Sequence, residues 1–481
     1  MEHFLNLIDG RWTGEPVHPD VNPSSRRDVL GLSCQAGAHD VDEAAAAARR
    51  AQPGWARTSH AERAAILARV ADRIARDAGT LARTLAREEG KTLAEATGEV
   101  TRAAGTFRYF ADALLQPVGE VYQGLQPGTR VHTVRRPVGV VGVITPWNFP
   151  IAIPAWKVAP ALAFGNAVVF KPADLVPATA FRLARILDDC GVPAGVFNLV
   201  AGPGATVGAR IATCPDIDAV TFTGSTAVGT SLAGSAVTSG LKKVQLEMGG
   251  KNALLVMEDA DLDAAAQAAC DGAFGATGQR CTAASRLLVH TSVHDEFVDR
   301  LAARIRRIVV GPALDPATTM GPVVSESQLA SDLEGIAAAR AEGAELAVGG
   351  DVVEDLPEGN FLRPALFTGT TARMRLNREE LFGPVAAVVE VAAYEEALAV
   401  ANDVNYGLSA AIFTSSLPTA SHFQRHSEAG MIMINRSTAA TDLHVPFGGM
   451  KASSYGAREQ GRAAQDFFTT LATVYTAGET W

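Results

Sequence analysis

Pro137-Val-Gly-Val-Val-Gly-Val-Ile-Thr-Pro-Trp-Asn-Phe-Pro150 is the stretch on which the reading of the fold turns. Its first half is an apolar run of valines and glycines with no polar face, as expected of a strand buried on both sides. Two prolines then fix a tight loop directly after it. Downstream the spacing predicts a helix over 157–162, a strand over 167–170 and a helix over 178–190. A strand over 196–200, a helix over 205–212, a strand over 219–223 and a helix over 227–235 follow. Strands alternating with helices at this spacing imply an α/β fold, with a parallel sheet covered on both faces. A second such series is expected from 253 to 413. Upstream, the first ~115 residues read as largely helical, with helices over 41–50, 59–86 and 93–115. Ser59 and Glu62 look like a capping box. Residues 118–136 alternate and read as a hairpin, and 467–475 read as a strand.

The 481 residues exceed what one compact core usually holds. With 47% hydrophobic and 20% charged residues, the composition is that of an ordinary globular chain. A net charge of −10 disfavours nucleic acid and anionic membrane as partners. No basic start followed by an apolar run opens the chain, and no apolar stretch is long enough to span a bilayer, so a cytoplasmic protein is expected. The five cysteines, Cys34, Cys190, Cys214, Cys270 and Cys281, are odd in number and widely spaced. They suggest a reducing compartment rather than a disulfide framework. His290 with His294, and His422 with His426, have helical spacing but no third ligand nearby, so no metal is expected.

Three segments carry candidate chemistry. In Phe274-Gly-Ala-Thr-Gly-Gln-Arg-Cys281-Thr a cysteine stands among Gly, Gln, Arg and Thr. Glycines there allow close backbone approach, and a neighbouring cation would favour the thiolate. Alone, Cys281 reads more readily as a buried structural residue. In Gln245-Leu-Glu247-Met-Gly-Gly-Lys251 a carboxylate sits between apolar residues and a glycine pair. It is either a general base or half of a salt bridge with Lys251. In Thr145-Pro-Trp-Asn148 the amide is either an oxyanion donor or a turn former.

Together these segments resemble the aldehyde dehydrogenase family. Lys171-Pro-Ala-Asp174, Phe222-Thr-Gly-Ser-Thr-Ala-Val-Gly229, Glu380-Leu-Phe-Gly-Pro384 and Pro446-Phe-Gly-Gly449 extend the resemblance over nearly the whole chain. It implies a dinucleotide-binding αβ domain (1–117 and 138–249), a catalytic αβ domain (250–452), and a small β oligomerisation flap and tail (118–137 and 453–481). It also implies a homodimer or homotetramer. By the same resemblance Cys281 is the nucleophile, Glu247 the base that activates water, and Asn148 the oxyanion donor. Glu380 and Phe382 hold the nicotinamide ribose and ring, and Lys171 and Asp174 the adenosine ribose. Trp147, Gly224 and Ser225 lie near the pyrophosphate, at a helix start suited to phosphate.

A glycine fingerprint for dinucleotides is absent in its usual form, since Gly202-Pro-Gly-Ala-Thr-Val-Gly208 has one residue too many. Asp174 can accept from ribose hydroxyls and repels a 2′-phosphate, so NAD is expected with NADP tolerated. The segments 278–286 and 444–461 resemble the branch that oxidises α-ketoglutaric semialdehyde (2,5-dioxovalerate) to 2-oxoglutarate. Such a substrate ends in a carboxylate and calls for a cation. Arg280 is the first candidate, and Arg436 a second. Trp156 and Phe447 complete the expected substrate contacts. Arg102 and Arg108 read as solvated. The loop Asn435-Arg-Ser-Thr-Ala-Ala-Thr-Asp442 departs from that branch, which reads closer to Leu-Pro-Thr-Ala-Gly-Val-Asp there. Succinic or glutaric semialdehyde, or a broad range of aldehydes, is the alternative. A CoA-acylating enzyme or an inactive binding homologue fits less well, because Glu247 and Cys281 are both kept.

Overall fold

The computed structural model describes residues 1–116, 119–356 and 358–477. The boundary set at 117–118 and the end of the tail, 478–481, lie outside the described residues. Five parallel strands stand side by side in the order Lys243–Glu247, Ala219–Thr223, Val140–Ile144, Ala167–Lys171 and Phe197–Leu199. They form the middle of an eight-stranded sheet. Ser454–Tyr455 closes one edge, and Asn6–Ile8 with Arg11–Thr13 the other, all antiparallel. Every residue of Val140–Ile144, Ala167–Lys171 and Ala219–Thr223 is buried, which is why these strands carry no alternating pattern. The strand order reverses at Val140–Ile144, so its carboxyl end opens a crevice beside Thr145–Asn148 and Gly224–Ser225.

The second αβ series forms a seven-stranded sheet, parallel except for Glu345–Val348. It runs one strand further than the sequence suggested, to Met431–Ile434. A third, three-stranded sheet joins Val121–Gln123, Thr129–Pro137 and Thr469–Ala477. The last two pair antiparallel from Thr469 opposite Pro137 to Ala477 opposite Thr129. Ser454–Tyr455, in the stretch assigned to the flap and tail, pairs with Leu246 and Glu247.

The amino-terminal region departs from the helical reading. Glu2–Phe4, Asn6–Ile8, Arg11–Thr13, Pro16–Val21 and Val29–Cys34 are strands, three of them only three residues long. Segments that short carry no measurable period. The helix expected over 59–86 is two helices, His60–Arg76 and Ala78–Glu89, meeting at Asp77. Ser59 does accept from the Glu62 N–H, but the reciprocal capping box closes two helices later, between Thr92 and Glu95. Residues 205–212 begin as a π turn, Gly204–Gly208, before the helix Ala209–Thr213.

The helix Leu93–Ala113 packs one face against the helix Ala152–Ala163. Phe107 on that helix is fully buried in the core, which also takes in Val141, Val158 and Phe110. Phe107→Ala leaves a cavity there, so it should cost about 3–5 kcal/mol of stability. The check is a lower denaturation midpoint with far-UV circular dichroism unchanged at rest.

Candidate active site

Cys281 follows a strained loop. Ala276, Thr277 and Gly278 all have left-handed backbone, with φ of 49°, 58° and 68°. Only the last is a glycine, and a Cβ there would stand 2.2 Å from the Gly383 carbonyl. Strain of this kind persists only where the surroundings fix it. Asn252 supplies much of that fixing. Its buried amide donates to the carbonyls of Cys281 (2.8 Å) and Ala283 (2.9 Å), and its oxygen accepts from the Ser409 N–H (3.0 Å). The Gly249–Gly250 pair is equally steric in origin. A Cβ on Gly249 would meet Glu380 Oε2 at 2.2 Å, and one on Gly250 the Cys281 carbonyl at 2.4 Å.

The thiol is not activated at rest. Burial pushes its pKa well above the ordinary cysteine value, and the charges of Glu380, Glu247 and Glu459 act in the same direction. The help expected from Arg280 is not delivered, because its guanidinium stands 3.7 Å from Glu95 Oε1. A base is therefore needed to free the sulfur.

Glu247 ends its strand with 3% exposure and accepts a 2.6 Å hydrogen bond from the Ser454 hydroxyl. Burial raises its pKa well above the usual carboxyl range, and the nearby Glu459 adds to this. Among the described residues it forms no ion pair with Lys251, so the salt-bridge alternative falls. Lys251 is itself buried, with a pKa pushed down to about 7 by burial and by Arg286. Glu380 has a pKa raised to about 7 by burial, and accepts from the Gly250 N–H at 2.8 Å. Behind Glu247, Glu459 pairs with Lys157, which also donates to Thr221 (2.7 Å).

Asn148 is held from both ends. Its side-chain nitrogen donates to the Gln279 carbonyl at 2.9 Å, and its own carbonyl accepts from Lys91 at 2.7 Å. Lys91 also meets Glu99 at 2.6 Å. The other oxygen of Glu99 accepts from the Ile151 and Ala152 N–H groups, at the start of the helix Ala152–Ala163. An anion at that end suits the helix dipole.

Cys281 stands where two cavities meet. One, of about 380 Å³, is lined by Trp147, Asn148, Thr223, Gly224, Ser225, Glu380 and Phe382, among others. Ser225 caps the helix Thr226–Thr238, presenting a helix amino terminus to this cavity. The Thr223 hydroxyl is buried without a partner, and Trp147 meets Phe382 edge to face at 5.3 Å. These features fit a dinucleotide at the crevice of the parallel sheet. Lys171 and Asp174 lie at the neighbouring strand end, paired at 2.9 Å.

The other cavity, of about 310 Å³, is lined by Lys91, Glu99, Arg102, Trp156, Arg280 and Phe447, among others. Arg436 is exposed and lines neither cavity. Arg102, read as solvated, is half-buried in the cavity wall, because its helix turns that face inward against Trp156. Arg108 is half-buried at the surface and pairs with Asp72. Lys91, Glu99, Asn252 and Ser454 escaped the sequence reading, since each lies far along the chain from the group it holds. The charges packed into Glu88-Glu89-Gly-Lys91 were the available signal.

The aldehyde dehydrogenase family model matches residues 12–474. The α-ketoglutaric semialdehyde dehydrogenase of Bacillus subtilis is 43% identical over 478 residues, covering 98% of each chain. The α-ketoglutarate semialdehyde dehydrogenase of Haloferax volcanii is 45% identical over 477 residues, also 98% of each. Among solved structures, the betaine aldehyde dehydrogenase of Staphylococcus aureus in complex with NAD+ superposes with a TM-score of 0.95 at 33% identity. That match covers 98% of this chain and 95% of the other.

The electrostatics of the sulfur yield a direct test. Glu380→Gln removes a negative charge that raises the thiol pKa, so the pKa falls. Alkylation of Cys281 by iodoacetamide at pH 8, followed by peptide mass spectrometry, should quicken, because a larger share of the sulfur is then thiolate. An unchanged rate would mean that this carboxylate does not act on the sulfur.

Proposed function

This chain belongs to the aldehyde dehydrogenase family, and we propose from that premise that it oxidises α-ketoglutaric semialdehyde to 2-oxoglutarate through a thioester on Cys281. The observation that carries the reading is the position of Cys281 in the wall shared by two cavities, one suited to a dinucleotide and one to an aldehyde. The names of the relatives at 43% and 45% identity support this substrate. The cations of the aldehyde cavity support a substrate that ends in a carboxylate.

In this reading the Cys281 thiol gives up its proton to solvent and the sulfur adds to the aldehyde carbon. The adduct's oxyanion is met by the Cys281 backbone N–H and by Asn148. An amide nitrogen has two protons, and Gln279 uses one, leaving the other for the oxyanion. When bound, the dinucleotide supplies the acceptor for the hydride that leaves this carbon. Cys281 then carries a thioester, so oxidation and hydrolysis are separate, easier steps. Glu247, as the carboxylate, takes a proton from water as the water attacks the acyl carbon. The C–S bond breaks and the acid leaves. A carboxylate with a raised pKa is the stronger base for this task.

Residues that would hold the dinucleotide are Trp147, Gly224, Ser225, Glu380 and Phe382, with Lys171 and Asp174 at the adenosine end. The Asp174 carboxylate disfavours a 2′-phosphate and supports NAD over NADP. The division into 1–117 with 138–249, 250–452, and 118–137 with 453–481 belongs to the same proposal. So does a homo-oligomer, supported by apolar residues left open on the flap, such as Val121, Leu471 and Tyr475. A cytoplasmic location is supported by free cysteines and by the lack, among the described residues, of any helix long and apolar enough to cross a membrane.

Two experiments test the proposal. Catalytic efficiency with NAD should be highest for α-ketoglutaric semialdehyde within a panel of succinic and glutaric semialdehydes, betaine aldehyde, pentanal and benzaldehyde, and should be lower with NADP. A preference for betaine aldehyde or an uncharged aldehyde would overturn the substrate. Glu247→Gln should release a burst of NADH and accumulate acyl-enzyme visible by intact mass, with steady turnover down by on the order of 100-fold or more. Steady turnover equal to the wild type would remove Glu247 from the role.

A further inference from the structure

Three cations line the aldehyde cavity: Lys91, Arg102 and Arg280. Two of them have their charge answered within the protein. Lys91 meets Glu99 at 2.6 Å and Glu89 at 3.8 Å. Arg280 has Glu95 at 3.7 Å and also lines a separate cavity, with Arg304 and Arg307, on the far side of the loop. Arg102 differs. Its Nη1 donates to the Thr441 carbonyl (2.9 Å) and hydroxyl (3.1 Å), and its Nη2 to Gln460 Oε1 (3.2 Å). Every one of these acceptors is neutral. Among the described residues it forms no ion pair. Its Nε has no acceptor, a feature shared with Arg280 Nε, and Trp156 Nε1 in the same wall has none either.

Asp442 and Glu99 act on Arg102 through space without touching it. A guanidinium half-removed from water with no carboxylate in contact is still costly, and a substrate carboxylate is the partner that best offsets the cost. Arg102 is also held ready for one. The Trp156 ring lies 5.8 Å from its Cζ, a cation–π arrangement that suits a planar guanidinium. Thr441, on the loop that departs from the semialdehyde branch, and Gln460, in the segment that resembles it, fix it from the other side, and Gln460 itself has a left-handed φ of 61°. Arg436, on the same loop, is exposed and makes no contribution to the cavity.

We propose that Arg102, braced by Trp156, Thr441 and Gln460, binds the terminal carboxylate of the substrate and sets the preference for ω-carboxy aldehydes. This rests on the semialdehyde reading above. Arg280 then acts as a structural brace of the nucleophile loop through Glu95, which also accepts from the Ala276 N–H at 2.6 Å.

The test is a selectivity ratio: catalytic efficiency for α-ketoglutaric semialdehyde divided by that for pentanal, which has the same chain length and no carboxylate. In Arg102→Gln the ratio should fall about 100-fold, mainly through KM of the semialdehyde. Arg102→Lys keeps the charge without the planar fork and should recover part of the ratio. Inhibition by glutarate should weaken in parallel in Arg102→Gln. If both substrates lose efficiency together, Arg102 is only a clamp on the loop at Thr441, and the proposal is overturned. A ratio equal to that of the wild type in both variants overturns it as well. A wild type that does not favour the semialdehyde sinks the substrate reading. In that case loss of glutarate inhibition in Arg102→Gln still identifies the anion site, and its persistence removes it.

Discussion

The buried amide of Asn252 is the interaction on which the site depends. A sulfur at the meeting point of two cavities must be held by backbone alone, because any bulky support would fill one cavity or the other. Asn252 achieves this with a single side chain that grips the carbonyls of Cys281 and Ala283 and the N–H of Ser409. The strand Ala253–Val256 starts at the next residue, and Ser409 opens its neighbour in the sheet. The reactive loop is thus referenced to two adjacent strands. The left-handed run Ala276–Gly278 can remain strained because its far end cannot relax.

Charge around this frame is handled in pairs. Lys91 with Glu99 and Lys157 with Glu459 are almost fully buried, and neither partner of either pair is the reacting group. Each pair instead touches something that matters: the carbonyl of Asn148 in the first case, the surroundings of Glu247 in the second. Buried pairs contribute little net stability, since desolvation cancels most of the attraction. Their effect here is geometric. The groups left unpaired, Glu247 and Cys281, have their pKa values pushed up and stay neutral more readily until substrate chemistry requires otherwise.

Much of this was legible in the residues. The run Val140–Ile144 and the strands after it lie where their apolar patterns put them, because a strand buried on both faces leaves an unmistakable unbroken trace. The motifs around Cys281, Glu247 and Asn148 do converge on one place. What stayed hidden was long-range or small. The amino-terminal strands are too short to carry a period. The break at Asp77 lies between two stretches of equally good helix formers. Arg102 looked solvated because a charged residue on an amphipathic helix usually is, and only the packing of Trp156 and Gln460 against it turns that face inward. The cationic help expected for Cys281 from Arg280 failed for a similar reason, since adjacency in sequence says nothing about Glu95, which lies 185 positions earlier.

The pairing of Thr469–Ala477 with Thr129–Pro137, and of Ser454–Tyr455 with the strand that ends in Glu247, binds the start of the fold to its finish. During synthesis, the five parallel strands through Lys243–Glu247 emerge from the ribosome long before either partner exists. Throughout that interval Lys243–Glu247 is an open edge and Lys157 is a cation still waiting for Glu459. The nascent chain therefore carries a half-finished sheet while some two hundred further residues are made. Such a chain is a natural client for chaperones that shield exposed strand edges.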